Sequence, residues 1–126
     1  MSHETTYDPD TKILETKLSG IIIPQEIEEV ISNNVELAIE NECYLWLIDY
    51  TEADENLKIA DMLGFRSRTD KATMAIGNKK HEVKRALVVK EKNEKFKLAE
   101  LFAATNGHSL MVFTTIKEAR TWLLTS

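Results

Sequence analysis

The chain has 126 residues, 43% of them apolar, and a single cysteine, Cys43. That is enough to bury one core without staples, and it excludes both an internal disulfide and a zinc site with more than one thiolate. The net charge of −5 is uneven: residues 1–61 carry fifteen acidic side chains against three lysines, and the remainder six against thirteen basic ones. The acidic total and the lack of aromatics among the basic residues argue against a nucleic-acid binder.

In chain order, "MSHETTYDPD" is polar and acidic and reads as a flexible segment over residues 1–10, with neither the basic start nor the apolar core of a signal peptide. "KILETKLSG" alternates Leu14, Thr16 and Leu18 with Glu15 and Lys17, which predicts a half-exposed strand at or near a sheet edge, ended by Gly20 and the following "IIIP". Pro24 opens a helical pattern in which Ile27, Val30, Ile31, Val35 and Ala38 form the buried stripe. Glu26, Glu28, Glu29 and Glu36 lie largely away from it, and acids in the first turn suit the helix dipole.

"YLWLID" is a continuous apolar run, as expected of a central strand covered on both faces. Leu57, Ile59, Ala60, Met62, Leu63 and Phe65 predict a short helix interrupted at Gly64, with a second around Ala72, Met74, Ala75 and Ile76. "RALVVK" follows as a strand, then a helix in "NEKFKLAELFAATNG" with Phe96, Ala99, Phe102 and Ala103 on one face and Gly107 as its stop. "SLMVF" is the last strand. In the closing "TTIKEARTWLL", Thr115 and Glu118 have capping-box spacing, and Ile116, Ala119, Trp122 and Leu123 supply the buried side. Strands separated by helices predict one α/β domain over residues 1–126. Its sheet is mixed and mostly parallel, of four to five strands packed with about four helices.

"LSG" followed by "PQEIEEV", then "LWLID", "KRALVVK" and "MVFTTIKEARTWLL", in that order, resemble the STAS-like domains. These are relatives of the sporulation anti-sigma factor antagonist, and the likeness is to their uncharacterised bacterial branch with a closing alanine and Trp-Leu pair, here Ala119, Trp122 and Leu123. The resemblance runs from about Leu14 to Leu124 and implies a STAS-like fold and a binding or signalling role rather than chemistry. In the antagonists a serine just after the strand matching "LWLID" is phosphorylated by a partner kinase. This chain has "DYTEADENLK" there, without that serine, and Thr51 is the nearby hydroxyl of the right chemical type.

Asp49, Tyr50, Thr51 and Asp54 at this strand end, with Arg66, Arg68 and Lys71 from the basic stretch, form the candidate partner or ligand surface. Three readings of the junction stay open. Asp49 ends the strand and Asp54 or Asn56 caps a helix; the residues contact a ligand beyond the strand ends; or Thr51 is phosphorylated. Asp49, Glu52, Asp54 and Glu55 lack the glycine of a calcium loop, and His3, His81 and His108 lack metal-site spacing and read as surface or loop residues. Cys43 reads as a small buried thiol.

No catalytic residue, cofactor or metal is expected. The leading expectation is a non-enzymatic, cytoplasmic regulatory module with a protein partner, since a lone thiol suits a reducing setting and no apolar run spans a membrane. The alternative is a carrier or sensor for a small amphiphilic or anionic ligand. Its pocket would be lined by Met62, Phe65, Met74, Phe96, Phe102 and Trp122 and rimmed by the basic stretch. A homodimer through an edge strand or exposed helix fits either reading.

Overall fold

The computed structural model describes residues 2–55, 84–105 and 109–125. Among the described residues five strands form one sheet in chain order: β1 (Ser2–Asp8), β2 (Ile13–Ile22), β3 (Leu45–Glu55), β4 (Lys84–Val88) and β5 (Ser109–Phe113). β1 is antiparallel to β2, and every later pair is parallel. The helices among the described residues are α1 (Pro24–Asn41), α2 (Glu94–Thr105) and α3 (Ile116–Leu124). The result is the expected mixed, mostly parallel α/β arrangement; the helices expected over residues 57–76 lie outside the described residues.

α1 and α2 pack on one face of the sheet and α3 on the other. Leu18, Ile22, Ile48, Tyr50, Leu87 and Val112 meet Ile27, Val30 and Phe96 on the first face. Leu47, Ala86 and Val88 meet Ala119 and Leu123 on the second. Two covered faces explain the unbroken apolar run of β3, because successive side chains enter opposite cores.

α3 keeps the N-cap of its expected capping box, with Thr115 Oγ1 accepting from the Glu118 N–H at 3.2 Å, while the Glu118 carboxylate reaches back to the Thr115 hydroxyl at 2.9 Å. Its C-terminal end is closed from elsewhere. Lys84 Nζ donates to the carbonyls of Trp122 and Thr125 at 2.9 and 2.6 Å and lies 4.6 Å above the Trp122 ring. A cation there satisfies orphan carbonyls and opposes the negative end of the dipole.

The sheet corrects three expectations. Residues 1–10 are not simply a flexible segment, since Ser2–Asp8 is a strand; it forms the edge of the sheet and leaves β2 next to that edge. Gly20 does not end β2 either; it takes φ 76° inside the strand, which runs on to Ile22. β1 carries no apolar alternation, because its inward residues are His3, Thr5 and Tyr7.

Glu26 is the third correction. It is buried together with Asn34, on the same i, i+4 row of α1 as Val30 and Ala38. Each polar group has a partner on the strands. His3 Nδ1 lies 3.2 Å from Glu26 Oε2, so His3 is not a free surface residue. Thr16 Oγ1 donates to Asn34 Oδ1 at 3.2 Å and sits 2.9 Å from Thr5 Oγ1, which leaves the Thr5 hydroxyl as donor to Thr16. This chain of hydroxyls ties β1, β2 and α1 together within a buried layer. Thr16→Val leaves the Asn34 carbonyl without its donor and is expected to cost about 1–3 kcal/mol, with part of the loss recovered when Asn34→Leu is added. Urea unfolding of the two variants measures both effects.

Candidate functional site

β3 outruns β4. Its pairing with β4 stops at Asp49↔Val88, while its pairing with β2 continues to Ile22↔Glu55. Between Lys17↔Asp49 and Ser19↔Glu52, one residue of β2 faces two of β3, so β3 carries a bulge at Tyr50 and Thr51. The bulge explains the chemistry of the junction. An extra residue leaves a backbone N–H without its ladder partner, and Asp49 supplies the acceptor: its Oδ1 receives the Thr51 N–H at 2.8 Å and the Thr51 hydroxyl at 2.6 Å. Asp49 is 2% exposed, so these bonds compensate a carboxylate withdrawn from water.

Asp49 therefore does not end the strand, and Asp54 lies within it rather than capping a helix; Asn56 lies outside the described residues. Tyr50 is separated from Asp49 and Thr51 by the sheet itself. It is buried on the α1 and α2 side, its ring 6.1 Å from that of Phe96 at 55°. The sheet thus brings Asp49 and Thr51 together and does not bring Tyr50 to them. Beyond the bulge Ala53 returns to the core, while Glu52 and Asp54 are exposed on the opposite side.

Glu52 is held by Lys17, whose Nζ lies 2.9 Å from Oε2. The hydrogen bond to Glu52, followed by that carboxylate's charge, raises the Lys17 pKa. Both side chains are more than half exposed, so solvent screens the pair. With His3, Glu4 and Ser19 they border an open polar cleft of about 520 Å³.

The basic stretch divides. Arg66, Arg68 and Lys71 lie outside the described residues, but Lys84 is committed to α3 and Arg85 is 7% exposed. Of the seven cations in "RSRTDKATMAIGNKKHEVKR", Lys84 and Arg85 are therefore structural. Phe96 and Trp122, expected to share one apolar pocket, lie on opposite faces of the sheet, the latter 5.8 Å from Phe113. Among the described residues, no three His, Cys, Asp or Glu side chains converge to hold a metal ion, and no helix is long and apolar enough to cross a membrane.

No family model and no curated protein matches the sequence. Solved structures do. An uncharacterized protein of the DUF3478 family from Shewanella loihica PV-4, described as having a SpoIIAA-like fold, is 20% identical with a TM-score of 0.56, over 97% of this chain and 92% of that one. The anti-sigma factor antagonist SpoIIAA in its unphosphorylated form is 13% identical with a TM-score of 0.57, over 97% of each chain. The chain has the SpoIIAA-like fold. The STAS-like architecture expected from its motifs is thereby shown, and the β3 bulge lies within a SpoIIAA-like sheet at the C-terminal ends of its parallel strands.

Two predictions follow from this geometry. Asp49→Ala removes the acceptor of both Thr51 donors and is expected to cost about 1–3 kcal/mol in urea unfolding, with Asp49→Asn costing less because one carbonyl oxygen remains. Cys43 is 1% exposed, and burial raises its thiol pKa. The native state then keeps a proton that the unfolded chain loses, so its contribution is fully present below the ordinary thiol pKa and is lost as pH rises towards the raised value. Urea melts between about pH 8 and 10 should show a shallower decline for Cys43→Ala than for the parent chain.

Proposed function

We propose that this chain is a non-enzymatic regulatory module that docks a protein partner at the end of β3. The observation that carries the reading is the bulge, which lets β3 project past β4 and present Thr51, Glu52 and Asp54 from a rigid base. Surfaces beyond the carboxyl ends of parallel strands are habitual binding places, and among the described residues this one carries the acidic Glu52 and Asp54. Chemistry is disfavoured because the Asp49 carboxylate is engaged by Thr51 and Tyr50 faces the other side. The proposal extends this docking face to Arg66, Arg68 and Lys71, and the lone thiol supports a cytoplasmic setting.

Thr51 supplies a means of control within this reading. A phosphate on its hydroxyl would break the bond to Asp49 and set a near −2 charge against a buried carboxylate. Phosphorylation would act by opening the bulge. The likeness to an anti-sigma factor antagonist supports a role of this kind through fold alone.

Affinity capture with the tagged chain in cells that express it naturally tests the docking face. Glu52→Lys with Asp54→Lys, and separately Arg66→Glu with Arg68→Glu, should deplete a partner that the parent chain and a Glu40→Lys control both retain. Circular dichroism checks folding. Equal capture by every variant would overturn the assignment.

A further inference from the structure

We propose that β1 is an acceptor edge onto which an extended, basic segment of a partner protein adds as a further strand. The two edges of the sheet are treated differently. At β5, which is five residues long, Glu100 of α2 reaches over and its Oε2 accepts the Val112 N–H at 2.6 Å, while Lys92 holds the other carboxylate oxygen at 2.8 Å. Phe113 gives its carbonyl to Val89 of the neighbouring chain segment, so the adjacent Val112 amide is the one that faces outward. A group that a new strand would need is therefore already taken.

β1 has no such guard. Its seven residues pair with β2 on one side only, and among the described residues no side chain bonds to its outer backbone groups. It contains neither lysine nor proline, the residues that usually blunt an edge. Its charged side chains are Glu4 and Asp8, four positions apart and therefore about 13 Å apart on the side where α3 packs.

Among the described residues no cation pairs with Glu4. Lys17 stands opposite it in register but gives its ammonium to Glu52, and the next carboxylate, Glu15, is taken by Arg120 at 2.6 Å. Asp8 accepts the Asp10 N–H at 2.9 Å, and that bond, the Thr11 hydroxyl and, more weakly, the charge of Arg120 lower its pKa. An incoming strand with Lys or Arg four residues apart would meet both charges, its main chain supplying affinity and its alternating side chains specificity. The net charge of −12 over residues 1–61 would steer a cationic segment towards this edge. A second copy fits poorly. Two β1 strands paired about Thr5 bring four carboxylates together without a single lysine or arginine.

This surface goes beyond the β3 docking face, and one experiment separates them. The full ¹⁵N-labelled chain is titrated with the acetylated, amidated peptide Val-Lys-Val-Thr-Val-Lys-Val. The controls are its Lys-to-Glu version and a version N-methylated at alternate residues. The expected result is slowed amide exchange confined to Ser2–Asp8, absent with both controls and about fivefold weaker for Glu4→Lys at low salt. Silence in β1, or equal binding of the Glu peptide, would overturn the proposal. So would a free chain that is already dimeric with protected β1 amides, because a second copy would then hold the edge. Shifts at Thr51–Asp54 with β1 silent would overturn it too, while leaving the β3 docking face standing.

Discussion

The sheet depends on the pairing of β2 with β3, and that pairing passes Asp49 only because one extra residue is absorbed there. Side chains alternate with a period of two, so an uncorrected slip of one residue would turn Ala53 out of the core and bring Glu52 in. The bulge takes up the slip, and Asp49 satisfies the amide that it frees. One carboxylate thus keeps the outer half of β3 in phase with Ile22 and determines which residues reach solvent beyond it.

The layer between α1 and the first three strands obeys a second constraint, because it is not purely apolar. Glu26, Asn34 and Thr16 are buried beside Ile27, Val30 and Leu18, and their partners on β1 are His3 and Thr5. Oε1 of Glu26 and Nδ2 of Asn34 are buried without a partner among the described residues. Such groups are costly to bury and geometrically demanding, which favours a single position for β1 over a family of slipped ones.

Elements with strong apolar patterning were legible in the sequence. β5 and α3 fall where "SLMVF" and the capping box place them, and Pro24 opens α1 as its fixed φ predicts. What stayed hidden was carried by polar residues. β1 half-buries hydroxyls and an imidazole rather than an alternating apolar face, and the charge of Glu26 masks the row that it shares with Val30 and Ala38. That i, i+4 spacing was a usable signal. At the candidate site only the apolar first half of β3 is legible: the strand passes Asp49 and runs on to Glu55, and the bulge that carries it there depends on the register between two strands that no single stretch records. Asp49 and Thr51 are joined by hydrogen bonds, whereas Tyr50 belongs to the opposite face by alternation alone.

Lys84 links parts of the chain that are far apart in sequence, reaching carbonyls 38 and 41 residues downstream. The helix that it closes has nine residues, too short to persist alone in water. In kinetic terms α3 is therefore expected to condense late, onto a strand that is already in place. Its cap should then act mainly as a brake on unfolding and leave the rate of folding almost untouched.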